Sequence, residues 1–172
     1  MSAESLVATP GQTIGPFFGF ALPYEGGEQL IPPGHPDAVR LTGLVLDGHG
    51  KPVPDAMIEI WQADADGRIE PEPGSLRRDG YTFTGWGRAA TDRTGHYQFS
   101  TLRPGALSPG AAPYFAITVF ARGLLDRLFT RAYLPGAAQW PSLAATADDR
   151  GFVFDIRLQG EGETVFLTYA QD

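Results

Sequence analysis

Apolar and polar residues alternate along this chain in short stretches separated by glycine, proline and aspartate. Over residues 41–47, Leu41, Gly43, Val45 and Asp47 share one face, and Thr42, Leu44 and Leu46 share the other. That is the two-residue period of a strand. Both faces are largely apolar, which predicts cover on both sides. Asp47-Gly48-His49-Gly50 supplies a turn, because glycine accepts positive φ and an Asp side chain bonds its own backbone. Pro52 and Pro54 hold the next residues extended. Met57, Ile58, Ile60 and Trp61 then form a second apolar strand, which ends at the turn Asp64-Ala65-Asp66-Gly67. The pair reads as a long hairpin on which the core is built.

The same pattern predicts strands over 87–91, 96–101, 114–120, 127–134, 152–158 and 164–169, divided by glycine-containing turns. In 114–120, Phe115, Ile117 and Val119 share one face, and Tyr114, Ala116, Thr118 and Phe120 the other. PGAAQWPSLAATADDR is the one helix-compatible stretch, long enough for a short turn of helix. About eight short strands with turns between them indicate an all-β fold, an antiparallel β-sandwich or barrel with at most a short helix. Residues 1–40 read as an N-terminal arm and connector, and 41–172 as the β-sandwich core domain. Within the arm, ATPGQTIGPFFGFALPY forms no regular element, since Gly15-Pro16 interrupts it. Leaving its phenylalanines in water costs about 1.5–3 kcal/mol each. The arm therefore either drapes over the chain's own core, or reaches another subunit or lines a pocket.

Composition agrees with this picture and narrows the partners. The 172 residues suit one domain with a sizeable core, and 22 Gly, 15 Pro and 12% aromatics suit short strands and turns. A formal charge of −7 disfavours nucleic acid and anionic membranes as partners. There is no 18-residue apolar run to span a membrane, and MSAESLVATPGQ lacks the basic region and apolar core of a secretory signal. With no cysteine, the chain has no disulfide framework, no thiolate metal site and no cysteine nucleophile. A cytoplasmic location is expected.

The residues show no self-sufficient catalytic set. His35, His49 and His96 each stand beside a glycine-containing turn, without a second histidine at i+2, i+3 or i+4. They read as exposed turn residues. A calcium loop starting at Asp64 would need a carboxylate where Ser75 stands. No G-x-S-x-G elbow and no phosphate-cradling loop with its lysine is present. Arg77-Arg78 and the carboxylate pairs Glu70/Glu72 and Asp148/Asp149 read as solvated loop charges. Taken alone, these residues describe a binding or scaffolding domain.

Longer segments carry more. TPGQTIGPFF, GLVLDGHGKPVPDAMIEIWQADADGR, TDRTGHYQFSTLRPG, FARGLLDRLFTRAYLPG and FDIRLQGEGETVF together resemble the intradiol ring-cleaving dioxygenases, from Thr9 to about Phe166. FARG and IRLQGEGETVF resemble the noncatalytic alpha chain of a two-chain member. The catalytic chains of that family hold a ferric ion with two tyrosines and two histidines. The resemblance puts Ile69 and Leu107 at the tyrosine positions and Phe115 and Ile117 at the histidine positions, with Ala112 in place of a catalytic arginine. None of these side chains offers a hard ion a lone pair. The resemblance thus implies no catalytic residue and no metal ligand here, the four apolar side chains filling the site as core.

It implies instead that Fe(3+) is carried by a homologous beta subunit, with this chain lining the shared pocket in a higher hetero-oligomer. The aromatic carboxylate 3,4-dihydroxybenzoate and O2 would meet in that pocket, both oxygen atoms entering between the hydroxyl-bearing carbons. Thr13, Gly15 and Pro16 match the arm motif T-x-G-P that lines it, and Phe17 stands where a tyrosine is common. Arg122 of FARG matches an arginine near the substrate. The other reading of Arg122 is structural, paired with a carboxylate such as Asp126, and Arg131 reads as structural. Two other classes stay open: a non-enzymatic β-sandwich binding or structural domain, and an independent metalloenzyme with another ligand set.

Overall fold

The computed structural model describes residues 15, 17–69, 78–137 and 139–168, and among them nine strands form two sheets. They are β1 (Ala38–Leu46), β2 (Met57–Trp61), β3 (Trp86–Ala90), β4 (His96–Leu102), β5 (Tyr114–Phe120), β6 (Leu128–Tyr133), β7 (Thr146–Asp148), β8 (Gly151–Val153) and β9 (Ile156–Arg157). One sheet has the order β4-β1-β8-β7, with β9 also on β1; the other has the order β3-β2-β5-β6. The pairings are antiparallel except that β8 and β9 run parallel to β1. The predicted all-β sandwich is the fold observed. Leu41, Val45, Tyr97, Phe99 and Phe152 from the first sheet pack with Ile58, Ile60, Phe115, Ile117 and Val119 from the second in one core.

The expected hairpin does not form. Its turn is built as predicted: Asp47 Oδ1 accepts from the N–H groups of His49 (2.8 Å) and Lys51 (2.9 Å). The returning chain stays beside β1 as far as Val53, whose N–H reaches Val45 O at 2.8 Å. Then Pro54 supplies no donor, and Asp55 takes a left-handed conformation with φ 66°. The edges of β1 are already paired, with β4 on one side and β8 and β9 on the other. β2 crosses to the opposite sheet, between β3 and β5.

The strand expected over 152–158 is two short pieces in one register along β1. At their junction a side chain replaces a backbone partner, as Leu44 N–H donates to Asp155 Oδ1 at 2.8 Å. Phe154 O instead accepts from the buried Tyr97 hydroxyl at 2.6 Å. Burial holds that phenol far above its ordinary pKa. The described part of 164–169 is not a strand; single bonds tie it down, from Thr164 N to Arg157 O (3.0 Å) and Leu167 N to Phe129 O (2.7 Å). The helix-compatible stretch yields one 3-10 turn, Pro141–Leu143, followed by β7.

A single helical turn, α1 (Phe18–Ala21), occupies the arm where no regular element was expected. Phe18 is buried, while Phe17 and Phe20 are 74% and 86% exposed. Downstream, Leu30 is fully buried, and its N–H reaches Ser100 O at 2.9 Å. Arg88 N–H donates to Gly27 O at 2.8 Å, so this segment spans from β3 to β4. From Phe18 onward the lead-in thus covers the chain's own core, yet it leaves two aromatic rings outward. No helix among the described residues is long and apolar enough to cross a membrane.

Arg78 is not the solvated charge expected of it. Its guanidinium donates to Tyr24 Oη (2.9 Å), Thr84 Oγ1 (2.5 Å), and the carbonyls of Gly26 (3.2 Å), Gly27 (3.2 Å) and Trp86 (3.1 Å). It pins the lead-in to the loop before β3; Arg77 lies outside the described residues. Beside it, Asp79 accepts from Thr82 Oγ1 (2.5 Å) and from the N–H groups of Thr82 (2.7 Å) and Tyr81 (2.8 Å). These bonds, the Thr82 hydroxyl first, hold its carboxyl down to about 2. The folded value lies below the ordinary value of about 3.9. Its contribution is therefore complete above roughly pH 5 and is lost as the pH falls through 2. Melting temperatures measured from pH 5 to pH 2 are expected to fall less steeply for Asp79→Asn than for the unsubstituted chain. Equal slopes would refute this.

Candidate functional site

The exit of β2 and the entry of β5 meet at an apolar pocket. After Trp61 the chain turns on Asp64, whose Oδ1 accepts from the N–H groups of Asp66 (2.9 Å) and Arg68 (2.8 Å). Gly105 N–H donates to Asp64 O at 2.8 Å, which ties this turn to the loop after β4. The approach is close enough that Gly67, at φ 82°, has no room for a Cβ beside Ala106 O. Ile69 and Leu107 are thereby brought to one pocket of about 150 Å³, lined also by Trp61, Ala63, Tyr114 and Ala116.

Of the four positions matched to ligands, Ile69 and Leu107 meet there and Phe115 and Ile117 do not. Phe115 is fully buried, with its ring centroid 5.8 Å from that of Phe152 in the opposite sheet, and Ile117 is 1% exposed. They belong to the sandwich core. Two residues at i and i+2 of β5 that share the pocket with Ile69 and Leu107 are Tyr114 and Ala116. Neighbours on a strand face opposite ways, so Phe115 and Ile117 lie in the core, as expected of them, while Tyr114 and Ala116 face the pocket. The pocket is not packed shut as expected, since Ile69 is 69% exposed and Leu107 44%. Tyr114 was not singled out as a pocket residue, though the alternation of β5 carries the signal: a core face at Phe115, Ile117 and Val119 puts Tyr114 and Ala116 outward.

The pocket does not fit a ferric ion. Ile69, Leu107 and Ala116 are hydrocarbon, and among the described residues of the lining only Tyr114 carries an ionisable oxygen. The Gln62 amide is already used: Nε2 donates to Ala63 O (3.1 Å) and Leu102 O (2.9 Å), and Oε1 accepts from Thr101 Oγ1 (2.5 Å). Among the described residues no group of three or more His, Cys, Asp or Glu is placed to hold a metal. His49 is exposed in its turn as read; His35 lies in a bend but is half-buried, and His96 is half-buried in β4, with Nε2 2.6 Å from Thr42 Oγ1.

The other matched residues lie elsewhere. Gly15 has φ 76° and no atom within 4 Å of where a Cβ would stand; Thr13 and Pro16 lie outside the described residues. Arg122 follows β5 at the far end from the pocket, about 20 Å from Ala116 at ~3.3 Å per residue. It pairs with Asp55, not with Asp126. A Cβ on Gly19 of α1 would stand 3.5 Å from Asp55 Cβ, so the arm and Arg122 meet at one corner, joined through Asp55. No sequence signal marked Asp55. Arg131 lies over the Tyr114 ring, 4.4 Å from its centroid.

Comparison with known proteins gives the family. The family model described as "Dioxygenase" matches residues 14–123. The protocatechuate 3,4-dioxygenase alpha chain of Burkholderia cepacia is 34% identical over 95% of this chain and 98% of its own length. The beta chain of the same organism's enzyme is 36% identical over 58% of this chain and 46% of its own length. Among solved structures, the dioxygenase domain of a dioxygenase–carbohydrate-binding protein fusion from Streptomyces sp. SirexAA-E superposes with a TM-score of 0.59. It is 26% identical over 88% of this chain and 98% of its own. The sandwich, the pocket at the exit of β2 and the near full-length match lead to one assignment: the chain belongs to the intradiol ring-cleaving dioxygenase family.

Proposed function

We propose that this chain is the alpha subunit of a protocatechuate 3,4-dioxygenase and works with a homologous, iron-bearing beta subunit. The assembly converts protocatechuate and O2 to 3-carboxy-cis,cis-muconate. The bond between the two hydroxyl-bearing ring carbons breaks, each carbon gains one oxygen atom, and the four electrons taken up by O2 come from the ring. The observation that carries this reading is the match to an alpha chain over nearly its whole length, in a chain whose described residues place no group of three metal-ligating side chains together. The ferric chemistry belongs to the beta subunit, and no step runs through this chain's pocket.

The alpha chain contributes away from that pocket. Thr13, Gly15 and Pro16 form part of the wall beside the flat ring, where a backbone without bulk and with fixed φ packs closely. Arg122, 60% exposed, attracts the substrate carboxylate, and a guanidinium does so more strongly in a low-dielectric cleft than in water. This local charge opposes the repulsion expected from a chain of net charge −7. The outward rings of Phe17 and Phe20 suit burial against the beta subunit, which removes their exposure cost of about 1.5–3 kcal/mol each. The complex is a cytoplasmic hetero-oligomer.

Iron analysis and ring-cleavage assays on the chain purified alone and with a co-expressed beta chain test this. Iron and turnover are expected only in the co-purified complex. A stable monomer that captures no beta chain, or metal and turnover in the isolated chain, would overturn the reading. In the complex, Arg122→Ala is expected to raise KM for the carboxylated substrate about tenfold or more. A charge-assisted hydrogen bond of about 1.5–3 kcal/mol is then lost. An unchanged KM makes Arg122 structural.

A further inference from the structure

We infer that Asp55 is the positioning residue for Arg122, holding the guanidinium so that its solvent-facing donors present to the carboxylate of the substrate. This rests on the reading of Arg122 as the carboxylate-binding group.

Asp55 is the fixed member of the pair. It is the one non-glycine with positive φ among the described residues. Asp tolerates that conformation better than most residues. Its neighbours hold it there. Pro54 fixes its own φ, and buried Ala56 offers its carbonyl to Thr91 N–H at 2.8 Å. Gly19 of α1 lies over the Asp55 side chain, and a Cβ there would stand at 3.5 Å. The Asp55 side chain is 26% exposed, against 60% for Arg122. Arg122 is a long side chain two residues past the end of β5, followed by Gly123 at φ 89°. Left alone it would sample many rotamers, and each binding event would have to order it again.

The ion pair adds little to the fold. β2 and β5 are already joined by a ladder whose register includes Met57 with Phe120, beside the two charges. A pair this exposed contributes little to stability. What it changes is orientation. A guanidinium carries five N–H donors in a rigid planar fork. Anchoring one edge on Asp55 leaves the others to solvent at the corner where α1 meets Asp55. Simple charge counting predicts the reverse of this proposal: removing Asp55 would leave more positive charge and favour an anionic substrate.

The test uses the complex with its co-expressed beta chain. Asp55→Asn keeps a residue that accepts positive φ but removes the charge, and Asp55→Gly accepts the same φ and removes every side-chain contact. KM for the carboxylated catechol is expected to rise about threefold in Asp55→Asn and up to about tenfold in Asp55→Gly. kcat should stay within about twofold, as for loss of uniform binding. For a catechol without the carboxylate, KM (or Ki where turnover is slow) should not move. A KM that rises equally for both catechols, or falls for the carboxylated one, overturns the inference. Arg122→Ala, run in parallel, separates the two levels. If it discriminates between the catechols and Asp55→Gly does not, the role of Asp55 fails alone. If Arg122→Ala leaves both constants unchanged, the reading of Arg122 fails and takes this inference with it.

Discussion

Phe115→Ala is expected to destabilise the chain by about 3–5 kcal/mol, and Ala116→His by about 1 kcal/mol or less. The two positions are adjacent on β5 and face opposite ways. Phe115 is fully buried and spans the sandwich to the Phe152 ring. Truncation would open a cavity between two sheets held in place by their own ladders, which collapse only partly around it. Ala116 lines the open pocket and pairs in register with Trp61 on β2 and Arg131 on β6. A larger side chain there extends into space open to water. Denaturant midpoints of the two variants settle which face of β5 is core and which faces the pocket. If Ala116→His unfolds as readily as Phe115→Ala, Ala116 belongs to the core and the pocket-facing register returns to Phe115 and Ile117.

The second large effect is expected at Gly43, where substitution by alanine should cost more than about 4 kcal/mol, in the range reserved for a named structural fault. Gly43 sits mid-β1, and a Cβ there would overlap the Phe154 carbonyl and stand 3.0 Å from Tyr97 Oη. The obstacle is backbone, so no rotamer change relieves it. Moving Phe154 would also break the bond it accepts from the Tyr97 hydroxyl. The junction of β8 and β9 would then separate from the central strand. Gly34 provides the comparison: it has no atom within 4 Å of a Cβ and no positive φ. Gly34→Ala should lie within about 1 kcal/mol of the unsubstituted chain. Thermal or chemical unfolding of both variants measures the contrast, and similar losses would refute the close-approach argument.

The site was legible in the sequence to the extent that chemistry is carried by residue type. Hydrocarbon at Ile69 and Leu107 and the arginine at 122 are read directly. Facing is another matter. The alternation of β5 put Phe115 and Ile117 on one apolar face, and both are buried in the core. That the opposite face, at Tyr114 and Ala116, shares a pocket with Ile69 and Leu107 depends on how the loop after β4 meets the exit of β2. Asp55 was illegible altogether, because nothing local distinguishes an aspartate that pairs with an arginine 67 positions away.

By itself the sequence determined what short-range physics controls. Period-two patterning set five strands nearly to the residue, β2 through β6. Asp and Gly set the turns at 47–50, 64–67 and 92–95. The long segments shared with relatives set the family. Only the tertiary structure decided which strands are neighbours. A turn residue acts within four or five positions, whereas strand pairing depends on which edges remain free once the others have closed. β1 and β2 adjoin in sequence and lie in different sheets because the edges of β1 were taken by strands whose paired residues lie 52–64 and 111 positions downstream. The same long-range closure opened the pocket at Ile69 and joined α1, Asp55 and Arg122 at the far corner.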